Sequence, residues 1–204
     1  MAPLVAYVER LRAAYPDRDV PHFDPTQASV DARVLLLLEA PGRRGATVRR
    51  GSGFISPDNN DATAHNTWTL MKEAGLDRRY CLNWNVVPWY VGTDTKLSNP
   101  RSPELREAGP ATRELLGLLL DLRVIVLLGD KAHAAWTALR IQQPPAFAAP
   151  HPSRQNLNSR PHYRPLILDA LREAMRLATV WTAKPRPAGQ KLRPALTSPC
   201  VLGQ

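Results

Sequence analysis

Four segments of the chain gather residue types that can recognise or react: residues 39–45 (EAPGRRG), 51–61 (GSGFISPDNND), 85–89 (NVVPW) and 151–158 (HPSRQNLN). Among their residues are the carboxylates Glu39 and Asp58, the imidazole of His151, the strand amide Asn85 and the aromatic ring of Phe54. Singly, most of these have a plain structural reading. EAPG is a turn punctuated by Pro and Gly. Phe54 among small residues is a loop anchor, and His151 before Pro-Ser is a satisfied surface histidine. Asn85 inside an apolar strand is more unusual, because a buried amide must find partners for its donors and its acceptor. What joins the four is their place. Each follows the C-terminal end of a predicted strand, the edge of a parallel sheet at which ligands bind.

The elements that must position these segments are legible from periodicity. Residues 33–39 (RVLLLLE) are too uniformly apolar for a surface strand and read as a buried parallel one. Residues 80–87 (YCLNWNVV), 123–128 (RVIVLL) and 146–149 supply three more strands. Helices are expected over 4–14, ended by Pro16, and over 62–74, with Asp61 as N-cap and Gly75 closing the C-terminus. Others are expected over 103–122, 131–140 and 164–178. Short apolar runs alternating with longer amphipathic segments argue for an α/β fold. A single domain is expected over 1–182. From about 183 to 204 the chain has no acidic residue and several prolines, and reads as a disordered basic tail that either adds nonspecific affinity for DNA or has no role.

Composition narrows the classes. The 27 Lys+Arg against 18 Asp+Glu give a net charge of +9, which favours a polyanionic partner. Two cysteines, Cys81 in an apolar strand and Cys200 in the tail, cannot form a four-thiolate cluster, nor a zinc site without many other ligands. No disulfide, metal or cofactor is expected. No apolar run approaches a membrane span, and the N-terminus carries charges where a secretion signal needs apolar residues. A cytoplasmic monomer is the expectation.

Taken together, the four segments resemble the uracil-DNA glycosylase superfamily. LEAPG is close to the GEAPG of its iron–sulfur branch, and GSGF looks like the segment that presents an aromatic ring to a flipped base. NVVPW matches the strand end whose Asn reads the base edge, and HPS at 151–153 matches the second hallmark motif, followed by the loop that wedges into DNA. The resemblance runs from about residue 33 to about 164. It implies a three-layer α/β/α sandwich around a parallel sheet of about four strands, acting on DNA without a membrane.

The roles that the resemblance implies suit the chemistry. A stacked base must be extruded before it is attacked, then held by stacking and edge hydrogen bonds. Phe54, Asn85 and Ala40 would bind the base, and His151 would donate to base O2 as negative charge develops there. A carboxylate near C1′ would position water, with Asp58 preferred and Glu39 as the other candidate. Thr63, Ser153, Arg154, Gln155 and the Arg43, Arg44, Arg49, Arg50 group would meet DNA phosphates, with Leu157 near the wedge. The chain departs from its relatives at Ala40, where one branch has Asp and the mismatch-specific branch has Asn, so the water-activating group must lie elsewhere. The simplest function is uracil excision. Alternatives are excision of another base, a deaminated purine or a hypermodified phage cytosine in anti-phage defence, or a DNA-binding or covalent-capture relative with little turnover.

Overall fold

The computed structural model describes residues 1–42, 47–48, 51–92, 100 and 102–180. The predicted basic tail, Cys200 and Arg43, Arg44, Arg49 and Arg50 lie outside the described residues. The central sheet is formed by β2 (Val34–Leu38), β4 (Cys81–Asn85), β5 (Val124–Leu128) and β6 (Ala146–Ala149). Its order is β4-β2-β5-β6, with every neighbour parallel. All five residues of β5 and the first four of β2 are buried, as expected for strands covered on both faces.

Strand alternation divides these side chains between two cores. Leu35, Leu37, Leu82, Trp84, Ile125 and Leu127 pack with α1 (Ala2–Ala14), α3 (Ser102–Leu118) and α4 (Asp130–Leu139). Val34, Leu36, Cys81, Val124, Val126 and Leu128 face α2 (Ala62–Glu73) and α6 (Tyr163–Thr179). Each fully buried leucine contributes about 1.5–3 kcal/mol. The result is the three-layer α/β/α sandwich.

The four expected strands and five expected helices are present, with boundaries shifted by a few residues. The strand expected from residue 80 starts at Cys81, after a 3-10 turn at Arg78–Tyr80 that Asp77 caps through Arg79 N. Helix α2 has the expected cap: Asp61 Oδ1 accepts from the amides of Thr63 and Ala64, each at 2.9 Å. Past its end, Gly75 takes a φ of +70°, and Leu76 N donates to Met71 O at 2.9 Å.

Three elements go beyond the sequence reading. A two-residue parallel pair joins β1 (His22–Phe23) to β3 (Phe54–Ile55). The segment after His151 forms a short helix, α5 (Arg154–Ser159), nucleated by Ser153, whose Oγ accepts from Asn156 N at 3.2 Å.

Candidate active site

The C-terminal edge of the sheet opens into a cavity of about 370 Å³. Its floor is β4. Asn83 and Asn85 project from the strand face that carries Cys81, towards α2, and both are 4 % exposed. The side chain of Asn85 makes no hydrogen bond among the described residues, although the strand buries it, so its amide faces the cavity unpartnered. Asn83 Oδ1 is buried without a partner too, and Asn83 N donates to Gln27 Oε1 at 3.2 Å.

One wall is the turn after β2. Leu38 pairs with Asn85 in the ladder, and Val87 N donates to Glu39 O at 3.0 Å, which brings Glu39, Ala40 and Pro41 beside the end of β4. Burial pushes the Glu39 carboxyl above the usual range, and the Lys131 ammonium offsets part of that. No hydrogen bond satisfies this carboxylate among the described residues.

His151 closes the opposite side, following β6. Burial pushes its imidazole below the usual histidine value, with Asp61 acting the other way, and so favours the neutral ring. Its backbone is held firmly. Gly129 N donates to Ala149 O at 2.8 Å, Asn156 Nδ2 to His151 O at 3.1 Å, and Asn66 Nδ2 to Pro152 O at 2.9 Å. Gly129 permits this approach, because a Cβ there would lie 2.9 Å from His151 Cβ.

The structure thus brings Glu39, Ala40, Asn85, His151 and Thr63 to one cavity. It does not bring Asp58 or Phe54 there. Asp58 is turned outward with its side chain 53 % exposed, and its Oδ2 pairs with Arg78 at 2.9 Å. The same Arg78 Nη2 reaches Asp24 Oδ2 at 3.0 Å, and Asp24 also accepts from Ser56 Oγ at 2.6 Å and Thr26 Oγ1 at 2.6 Å. This network bolts the 56–58 loop to the body of the protein and fixes the direction of Asp58. Phe54 is 37 % exposed, its ring 6.0 Å from that of His22, because alternation in β3 gives the inward position to Ile55. Ser153 is engaged as the α5 cap, while Arg154 and Gln155 are exposed on that helix.

Cavity residues not singled out from the sequence include Asn83, Tyr90, Asn59 and Asp61. Asn83 was within reach, since the i, i+2 spacing with Asn85 puts two amides on one strand face. Asp61 had been read only as a helix cap. The chain's two cysteines do not fit a four-thiolate iron–sulfur cluster, and Cys81 is buried in a core strand with its thiol pushed well up by desolvation. Among the described residues, no group of three or more His, Cys, Asp or Glu is arranged to hold a metal, and no helix is long and apolar enough to cross a membrane.

Chemically, the cavity offers an unpartnered amide, a neutral imidazole and a partly desolvated carboxylate around one space. That set can read a polar ring edge, stabilise an anion and orient water.

Comparison with known proteins identifies the family. The family model of the uracil DNA glycosylase superfamily matches residues 25–173. The Type-5 uracil-DNA glycosylase of Thermus thermophilus is 33% identical over 187 residues, covering 79% of this chain and 81% of that protein. A solution NMR structure of a candidate uracil DNA glycosylase from Methanosarcina acetivorans matches with a TM-score of 0.47 and 17% identity, covering 76% of this chain and 98% of the other. The chain belongs to the uracil DNA glycosylase superfamily and is a DNA glycosylase, which hydrolyses the N-glycosidic bond holding a base to DNA.

Proposed function

We infer that this glycosylase releases uracil from DNA and leaves an abasic site, acting as a monomer. One observation carries the reading: Asn85, Glu39 and His151 converge on a single cavity with their side chains free of hydrogen bonds to the described residues. The Type-5 relative, a uracil-DNA glycosylase by name, supports the choice of base.

The amide of Asn85 donates to uracil O4 and accepts from N3–H, a pairing that cytosine reverses and therefore fails. Tyr90, on the cavity wall, supplies the aromatic face in place of Phe54. As the bond from C1′ to N1 breaks, its electron pair moves onto the base. The neutral His151 donates to O2 and stabilises that anion. Glu39, ionised and partly desolvated, orients water towards C1′ and accepts its proton as the new bond forms. Glu39 takes this role rather than Asp58, whose carboxylate is occupied by Arg78 outside the cavity. Thr63, Ser153, Arg154 and Gln155 meet phosphates near the cavity mouth.

The test is abasic-site formation on duplexes that differ only in one base: uracil, hypoxanthine, xanthine or a hypermodified cytosine. Uracil is expected to be cleaved fastest. Faster release of a purine or of the modified cytosine would refute the assignment of the base.

A further inference from the structure

A second opening adjoins the cavity. It is a groove of about 830 Å³ between α2 and α5, and it shares Pro57, Asn59 and Asp61 with the cavity wall. Trp68 forms one side and is 41 % exposed, whereas the other described tryptophans, Trp84, Trp89 and Trp136, are buried. Lys72 Nζ lies 5.1 Å from its ring centroid. Arg154 lines the groove from α5 and makes no ion pair among the described residues. Asn60 and Asn158 also line it, and neither side chain has a hydrogen-bond partner among the described residues.

The two acids in the groove do not repel an anion strongly. Asp58 is paired with Arg78 at 2.9 Å, and Asp61 Oδ1 accepts two helix amides at 2.9 Å. Among the described residues, no ion pair compensates Arg154 in the groove or Lys72 beside Trp68. An exposed indole flanked by cations and free amides is the chemistry of a base-stacking platform on single-stranded nucleic acid. The amides can serve a base edge, the cations a phosphate.

The geometry points to this groove as a second nucleobase site: it takes the base next to the flipped nucleotide on the same strand and stacks it on Trp68. The shared wall is the reason for choosing that occupant, because a strand with one nucleotide in the cavity has its neighbour at the mouth of the groove. The assignment rests on the base-flipping reading above. Its effect is to hold the strand open on one side of the extruded nucleotide, so that restacking is slowed.

The experiment measures equilibrium affinity of single-stranded uracil oligonucleotides for the wild-type protein, Trp68→Ala and Trp68→Phe. Each oligonucleotide either is intact or carries an abasic spacer immediately 5′ or 3′ of uracil. In the wild type, the spacer on one side is expected to weaken binding by about tenfold, the size of a base–aromatic stack. Trp68→Ala should bind the intact strand as weakly as the wild type binds that spacer strand, with no further loss from the spacer. Trp68→Phe should keep most of the difference, and matching melting temperatures would establish that the variants are folded. The proposal is overturned if neither spacer matters in the wild type, or if a spacer weakens wild type and Trp68→Ala equally. Cleavage of the intact strand is scored separately. Intact affinity patterns without abasic-site formation would reject uracil as substrate and leave the groove standing, whereas cleavage without the Trp68 effect would reject the groove alone.

Discussion

Gly129 sets the position of His151, and Gly129→Ala tests whether that position matters. Gly129 follows β5 with φ 106° and ψ 154°. This region is open essentially to glycine alone, and holding another residue there costs about 1–3 kcal/mol. The added Cβ would also meet His151 Cβ at 2.9 Å and Cδ2 at 3.3 Å. Cβ is fixed to the backbone, so no change of rotamer relieves the nearer contact. The 151–153 turn must then move by a few tenths of an ångström, against the bonds from Asn66 and Asn156 and against the Gly129–Ala149 joint. Strain and overpacking together give about 2–4 kcal/mol of destabilisation. At about 2–4 °C per kcal/mol for a chain of this size, Tm should fall by about 4–16 °C. Displacement of a group that must meet base O2 should slow cleavage by about 10–100-fold. Single-turnover abasic-site formation, measured well below the variant's Tm, with DNA affinity taken alongside, separates placement from unfolding. A variant that cleaves within about threefold of the wild type would refute the claim that this close approach positions the imidazole.

Five further outcomes are expected. His151→Ala should lose about 10²-fold or more in single-turnover rate with Tm and DNA affinity nearly unchanged, and an unchanged rate in the folded variant would remove His151 from the mechanism. Glu39→Gln should lose rate while gaining about 0.5–1 kcal/mol of stability, because burial opposes the ionised form; equal loss of both would mark a structural role. The same burial fixes a pH dependence. Ionised Glu39 is the active form and its folded pKa is raised, so the rate should fall on acidification from a pH above the ordinary glutamate range, and Glu39→Gln should lack that limb. Asp58→Asn should leave the rate within about twofold and change stability by less than about 1 kcal/mol, as for an exposed ion pair; Asn85→Asp should change which base is preferred more than it changes DNA affinity, as read by a cleavage panel beside anisotropy.

Much of this architecture was legible because the information is local. RVLLLLE and RVIVLL are continuous apolar runs, and such runs become strands buried on both faces whatever the rest of the chain does. Asp61 announced a helix start by its side-chain chemistry, and Asn85 stood out as an amide among apolar neighbours. What was not legible depends on contacts distant in sequence. The β1–β3 pair is two residues long on each side, too short to carry a period. With only Phe54 and Ile55 in β3, residue type alone could not say which faces inward. Asp58 is a carboxylate four residues after Phe54, but its direction is decided by Arg78, twenty residues along the chain. Helix α5 has no apolar stripe in RQNLNS and exists because Ser153 and the neighbouring helices α2 and α6 hold it.

The Asp24 network has a consequence for acid sensitivity. Burial alone would raise the Asp24 carboxyl, but hydrogen bonds from Ser56 and Thr26 and the Arg78 guanidinium carry it below the ordinary aspartate range. Its contribution to stability is therefore present above the unfolded-state pKa and is lost as pH falls through the lower folded value. Protonation there weakens the hold of Asp24 on Ser56 and Arg78 together, while the strands behind them hold no titratable group at that depth except the Cys81 thiol. The pocket wall should therefore come loose in acid as a local opening ahead of global melting, with faster amide exchange at Ser56–Asp58 than in β2 and β5.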